Sequence, residues 1–188
     1  MSPPPRRLPP GVLVRAGVAF YAALFGLAWL WCAAIRDRSL VVAPGGSIRW
    51  VRDPAAGAIV AVLVIVLSAA LTERTALGRS LARALGAALG PLGLRDCLVL
   101  AAASGLGEEA VFRAALQPEV GLVAASVVFA AVHFVPRRDL WPWSVFALGA
   151  GLLLGALYAA TGNLVAPVVA HAGINAVNLR WLSRQYGA

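Results

Sequence analysis

Residues 95–117 read RDCLVLAAASGLGEEAVFRAALQ. The stretch is mostly apolar on either side of its middle and long enough to cross hydrocarbon, which takes about 20 helical residues. Yet its middle holds Glu108, Glu109 and Arg113. Ionisable groups in such a helix are expensive, and where they occur they face a bundle interior or a water-filled cavity. The rest of the chain decides between a soluble helix and a membrane helix with a buried polar site. Of its 188 residues 61% are hydrophobic and 13% charged, with mean hydropathy +0.82. A soluble domain is about 25% charged. So few charges cannot cover so large an apolar core in water, and a bilayer is the simpler solvent. The expected fold is therefore all-α, a polytopic transmembrane helix bundle, because in lipid the backbone must satisfy its own hydrogen bonds.

Working outward, prolines, glycines and charges divide the chain into about six spans. The third span is 95–117, ended by Pro118. Before it come a first at 12–35 and a second at 56–72. In the first, Arg15 snorkels and Trp29 and Trp31 anchor an interface. After it come a fourth at 120–135, ended by Pro136, a fifth at 142–161 and a sixth at 164–182. Residues 73–93 read differently. Leu77, Leu81, Leu85 and Leu89 recur every four residues among Arg74, Arg79 and Arg83. That pattern predicts one amphipathic interfacial helix lying on the membrane surface, with a tilted extension of the second span as the alternative. The domain organisation follows: a disordered, basic, Pro-rich N-terminus (1–11), one transmembrane domain (12–182) and a short tail (183–188). No internal repeat is present.

The net charge of +8 is carried wholly by arginine. These arginines lie between apolar segments and do not alternate with exposed aromatics, so they speak for topology and against nucleic acid. With the N-terminus inside, Arg6, Arg7, Arg74, Arg79, Arg83, Arg95, Arg137, Arg138, Arg180 and Arg184 are cytoplasmic. Arg36, Arg38, Arg49 and Arg52 are outside, unless they pack against the bundle. The balance predicts a multi-pass protein with both termini cytoplasmic. Heavy Ala, Arg, Gly and Leu usage points to a GC-rich bacterial genome, hence to the bacterial inner membrane. Cys32 and Cys97 lack metal-ligand spacing and read as small apolar residues.

The polar residues that need partners in lipid fall on three spans. The third carries Glu108, Glu109 and Arg113. The fourth carries Phe129 and His133, and the sixth His171, Asn175 and Asn178. Glu109 and Arg113 are four apart and share a helix face, so they can pair. Glu108 is turned by about 100° from Glu109 and points elsewhere. His171 and Asn175 are also four apart, and Asn178 continues their face as a supporting or helix-joining amide. His133 and His171 are the two histidines of the chain. Convergence on one buried cavity is the cheapest arrangement. There a base (Glu108), an imidazole (His133) and an imidazole with an amide (His171, Asn175) suffice to activate water and stabilise an oxyanion. Ser104 and Ser126 read as small spacers, and no Gly-x-Ser-x-Gly or His-Glu-x-x-His motif is present. Phe129 reads as pocket floor, and Trp141 and Trp143 as interfacial anchors.

Glu-Glu-x3-Arg, then Phe-x3-His, then His-x3-Asn, on successive membrane helices, resembles the CPBP (Abi) family. This family comprises CAAX proteases of the second type and bacteriocin-processing enzymes. The resemblance covers about residues 95–180, and the chain's small size and composition fit its myxosortase subgroup. It implies a glutamic-type intramembrane endopeptidase without a cofactor or metal. Glu108 would be the catalytic glutamate, His133 its assistant, and His171 with Asn175 the oxyanion hole. Glu109 and Arg113 would support them. The implied partners are a membrane protein or peptide substrate and the lipid bilayer. Candidate substrates are a leader, a bacteriocin precursor or a C-terminal sorting tail. Three rival readings use the same residues: a zinc metalloprotease, a proton-relaying transporter, and a non-catalytic scaffold or immunity protein.

Overall fold

The computed structural model describes residues 9–137 and 140–187. The expected disordered segment therefore falls largely outside the described residues, as do Arg6, Arg7 and Arg138. Among the described residues the chain is an all-α bundle of seven helices, with one isolated β-bridge between Val42 and Asn163. Helix α1 (Pro10–Leu30) opens on a proline, whose missing N–H costs nothing in a first turn, and it widens into a π-turn at Trp31–Ile35. Helix α2 (Arg52–Arg74) stops at Thr75, which is extended and caps the next helix by accepting from the Gly78 N–H at 2.9 Å. Helix α3 is Ala76–Leu89, α4 is Leu94–Glu109, and α5 is Gln117–Val132. A π-helical segment, Ala110–Leu116, joins α4 to α5. Helices α6 (Trp141–Thr161) and α7 (Val165–Tyr186) complete the bundle.

Four helices are long and apolar enough to cross a membrane: Pro10–Ile35, Arg52–Arg74, Leu94–Val132 and Trp141–Thr161. About six were expected, and two causes account for the difference. First, Pro118 does not end the third span. It sits in the first turn of α5, where proline is tolerated, and the rod continues to Gly121. There φ is 83° and ψ 164°, a conformation open to glycine and strained for other residues, so the break falls three residues later than proline predicts. Second, α7 is too polar to count by hydropathy. It is instead the central helix, packed against α2, α3, α4 and α6. The outer faces are apolar: Val62, Leu63, Val66 and Leu67 of α2 are each between 56% and 63% exposed. A surface of that kind suits lipid rather than water.

The segment expected on the membrane surface is a separate helix, as its pattern predicts, but it docks on the bundle. Helix α3 packs against α7 and α2. Its stripe of Leu77, Leu81, Leu85 and Leu89 lines a groove closed on the other side by Trp141, Phe146 and α7 residues. The turn after α3 is tied to α7. Ser183 Oγ accepts from Leu92 N–H at 2.6 Å and donates to Gly90 O at 2.8 Å, and Arg180 donates to Leu92 O at 2.9 Å.

At the opposite end the loop 36–51 holds the α6–α7 turn. The fully buried Asp53 accepts from Asn163 Nδ2 at 2.7 Å and from the Arg49 N–H at 2.8 Å. Asn163 also donates to Ser47 O at 2.9 Å. Three of the four arginines expected outside have side-chain partners here. Arg36 and Arg38 both pair with Glu119, Arg38 also donates to Ala114 O and Ala115 O, and Arg52 pairs with Asp53. Cys32 and Cys97 are buried and free. A buried carboxylate that loses a donor keeps its desolvation cost. Asn163→Ala is therefore expected to destabilise the bundle by about 1–3 kcal/mol, read as a lower melting temperature in detergent. Thr161→Ala, which removes a more exposed hydroxyl, should leave it within about 0.5 kcal/mol of wild type.

Candidate active site

Three elements bring the polar residues together, each with its own local reason. The glutamates are the last two residues of α4, directly before the π segment, and are both buried, Glu109 fully and Glu108 at 7% exposure. Single π-turns inside α-helices are frequent at functional sites, and this one carries Arg113. His133 was expected within a span. It stands instead at the C-cap of α5 (φ −90°, ψ 0°), where its N–H closes on Ala130 O at 3.2 Å, with Nδ1 2.7 Å from Phe129 O. His171 and Asn175 lie in the middle of α7.

The foundation is a buried chain of charge. Arg113 Nε donates to Glu109 Oε2 at 3.0 Å, with both side chains fully buried. Glu109 Oε1 stands 2.7 Å from His171 Nδ1. The guanidinium also lies 5.3 Å over the Phe129 ring, a cation–π contact that desolvation strengthens. Glu109 thus uses both oxygens, one toward its own helix and one toward α7.

Glu108 turns the other way, as the 100° offset predicts, into a cavity of about 490 Å³ that also receives His133, His171 and Asn175. Its Oε2 lies 3.6 Å from His133 Nε2 and 4.0 Å from His171 Nε2. Among the described residues that oxygen is buried without a hydrogen-bond partner. Asn175 Nδ2 donates to Ser104 Oγ at 2.9 Å, and Ser104 donates to Ala101 O at 3.2 Å. Phe129 is buried between the two imidazoles, with ring centroids 4.4 Å from His133 and 6.2 Å from His171.

All four residues expected at the centre therefore meet, and Glu109, Arg113 and Phe129 lie beneath them. Asn178 does not join them. It faces Ser68 of α2 at 3.5 Å in the neighbouring groove, as a helix-joining amide. Trp143 corrects the interfacial reading. It lies edge-on to His133 at 5.8 Å, stacks on Phe146 at 5.6 Å and lines the cavity. Trp141 is half exposed, as an anchor would be. Ser104, read as a small spacer, lines the cavity, and so does Tyr21, which was not singled out. The Asn175–Ser104 contact gives no signal in one sequence, since neither spacing nor composition links residues on different helices. Among the described residues no group of three His, Cys, Asp or Glu side chains is arranged to hold a metal ion.

Residues 90–177 match a known family, the type II CAAX prenyl endopeptidases described as Rce1-like. Over this stretch the chain is similar to that family. The stretch runs from the turn before α4 into α7 and holds Glu108, Glu109, Arg113, His133, His171 and Asn175, while α1, α2 and α3 lie before it. The match agrees with the CPBP resemblance read from the three motifs. Together with the apolar helices it makes the chain a multi-pass membrane protein. An uncharacterized protein of Bacillus subtilis (strain 168), YpbD, is 46% identical over 72 residues. That match covers 37% of this chain and 36% of the relative, so the chain spans about a third of the length of the curated relative it matches. No solved structure matches the chain.

Removing one member of a buried ion pair strands the other, at a cost of about 3–5 kcal/mol. Arg113→Ala in the Rce1-like stretch is thus expected to lower the detergent melting temperature sharply. Asn178→Ala, which removes a single long contact, should lower it by less than about 1 kcal/mol equivalent.

Proposed function

We propose that the chain is an intramembrane endopeptidase of glutamic type, hydrolysing a peptide bond of a membrane-associated protein or peptide. The observation that carries this reading is the Glu108 carboxylate. It is buried, has an unpartnered oxygen, and faces two imidazole nitrogens at 3.6 and 4.0 Å across a cavity. A carboxylate with one free oxygen in a buried, preorganised site suits proton abstraction from water.

The reaction follows from these positions. Glu108, assisted by His133, takes a proton from a water whose oxygen attacks the scissile carbonyl carbon. The carbonyl π-electrons move onto oxygen, and the oxyanion is met by His171 and by the second N–H of Asn175. The first N–H of that amide is spent on Ser104, which fixes its direction. His171 gives its Nδ1–H to Glu109, so a ring that also donates from Nε2 is cationic. The Glu109 carboxylate, held by Arg113, supplies the matching charge. The protonated Glu108 then delivers its proton to the leaving amine as the C–N bond breaks. No covalent intermediate is needed, and the proton count closes.

The cavity lies in the half of the bundle where α1 begins and α7 ends. That end carries Arg74, Arg79, Arg83, Arg95, Arg137, Arg180 and Arg184. By the positive-inside rule it is cytoplasmic, and the bacterial inner membrane is the setting proposed. Substrate would then enter from the cytoplasmic side or from lipid. The substrates proposed are leader peptides, bacteriocin precursors or C-terminal sorting tails.

Purified protein in detergent, incubated with membrane peptides from the host, tests the reading. Wild type is expected to cut a defined bond with or without a strong chelator. Glu108→Gln and His133→Ala should each lose about 100- to 10,000-fold in rate at an unchanged melting temperature. Cleavage blocked by chelator and restored by zinc would instead establish the metalloprotease. Full activity in Glu108→Gln would remove the carboxylate from the chemistry.

A further inference from the structure

Helix α1 lies before the Rce1-like stretch, yet it reaches the site. Its contact is made at Gly107, the residue before Glu108. A Cβ at position 107 would stand 2.7 Å from the Tyr21 carbonyl oxygen and 3.1 Å from Tyr21 Cβ, so glycine alone permits the approach. That approach sets Tyr21 beside Glu108. Tyr21 lines the same cavity as Glu108, His133, His171 and Asn175, which puts its phenol beside the Glu108 carboxylate. Glu108 Oε2 has no hydrogen-bond partner, which leaves Oε1 for that phenol. A carboxylate accepts and a phenol can donate, so in such a pair the hydroxyl is the donor.

We propose that Tyr21 is a positioning residue for Glu108. Its phenol holds Oε1 and thereby keeps Oε2 turned toward the gap between His133 and His171. The inference rests on reading Glu108 as the base. The physical need is plain. A carboxylate with both oxygens free rotates about its last torsion, which is broad and two-fold, and offers the water no fixed acceptor. One charge-assisted hydrogen bond from a second helix removes that freedom. Arg113 and Glu109 cannot do so, since Glu109 spends its own two oxygens on Arg113 and His171. The ring is held in turn by an edge-on contact with Phe20 at 5.3 Å. The site is thus assembled from four helices, one of them outside the stretch that carries the motifs.

Two measurements on the full-length protein in detergent test this. The first is kinetic, with the peptide that wild type cuts. Tyr21→Phe keeps the ring and its seat against Gly107, so its melting temperature is expected to match wild type. Its kcat should fall about 10- to 100-fold, the span of one hydrogen bond to a charged group, with KM within about twofold. Unchanged kcat would overturn the proposal, and so would a loss that merely tracks a lowered melting temperature. The second needs no activity. The chain has three tyrosines, so protein labelled with 13C at the phenol carbon gives three resonances, assigned with Tyr21→Phe. Glu108→Gln is expected to move the Tyr21 resonance and leave those of Tyr158 and Tyr186 in place. An unmoved Tyr21 signal overturns the contact itself. Full cleavage by Glu108→Gln overturns the base, and with it both readings, whatever the resonance does.

Discussion

Burying Glu109 is the constraint on which the rest of this structure turns. A carboxylate with no exposed surface must be matched, or its desolvation alone would exceed the stability of the bundle. Arg113 supplies the charge from the same helix, one turn on, and His171 supplies a donor from α7. The two partners come from different elements, so satisfying the charge fixes how α7 lies against α4. Whatever α7 carries is then placed as well. Asn175, one turn beyond His171, reaches Ser104 of α4 by the same docking. The polar side of α7, which removes it from any count of apolar spans, is the side that holds the bundle together.

Glu108 shows the converse. Adjacent to a fully satisfied carboxylate, it is turned to the cavity by helical geometry and keeps an oxygen free. Two neighbouring glutamates therefore have opposite environments: one is locked by a cation and an imidazole, the other is aimed at open space between imidazoles. Such separation of paired carboxylates into a structural and a reactive member is a pattern by which sites assign roles. The location of His133 supports it. At the end of α5, beyond the regular hydrogen-bond ladder, the imidazole is oriented by the Phe129 carbonyl and by the rings of Phe129 and Trp143 rather than by a second charge.

Much of this was legible in the sequence because the lipid solvent makes polar residues conspicuous. Glu108, Glu109, Arg113, His133, His171 and Asn175 stand out as soon as the chain is read as a membrane protein, and helical spacing sorts the two glutamates correctly. The π segment left no trace, since Glu109 and Arg113 pair across its start at ordinary helical spacing. What stayed hidden has a common cause. Tyr21, Ser104 and Trp143 are ordinary residues in apolar helices, and their part in the site depends on which helix packs against which. Spacing within one helix carries no such information. The leucine stripe of α3 marks its amphipathic face but does not say whether lipid or protein covers it. Pro118 misled about a helix end because its effect depends on its place in the turn, while Gly121, the true break, looks like any small residue of a membrane helix.

The role of α1 follows from the same logic of packing. Gly107 precedes Glu108 and lets the α1 backbone come close enough for a tyrosine to stand beside it. A Cβ there would stand 2.7 Å from the Tyr21 carbonyl oxygen, so any larger residue forces α1 to shift. The small residue just before the first motif is therefore coupled to the tyrosine on a helix outside the matched stretch. An active site in lipid has few polar groups with which to fix a carboxylate. Drawing one from a helix beyond the motif-bearing core solves that shortage without placing another charge in the membrane.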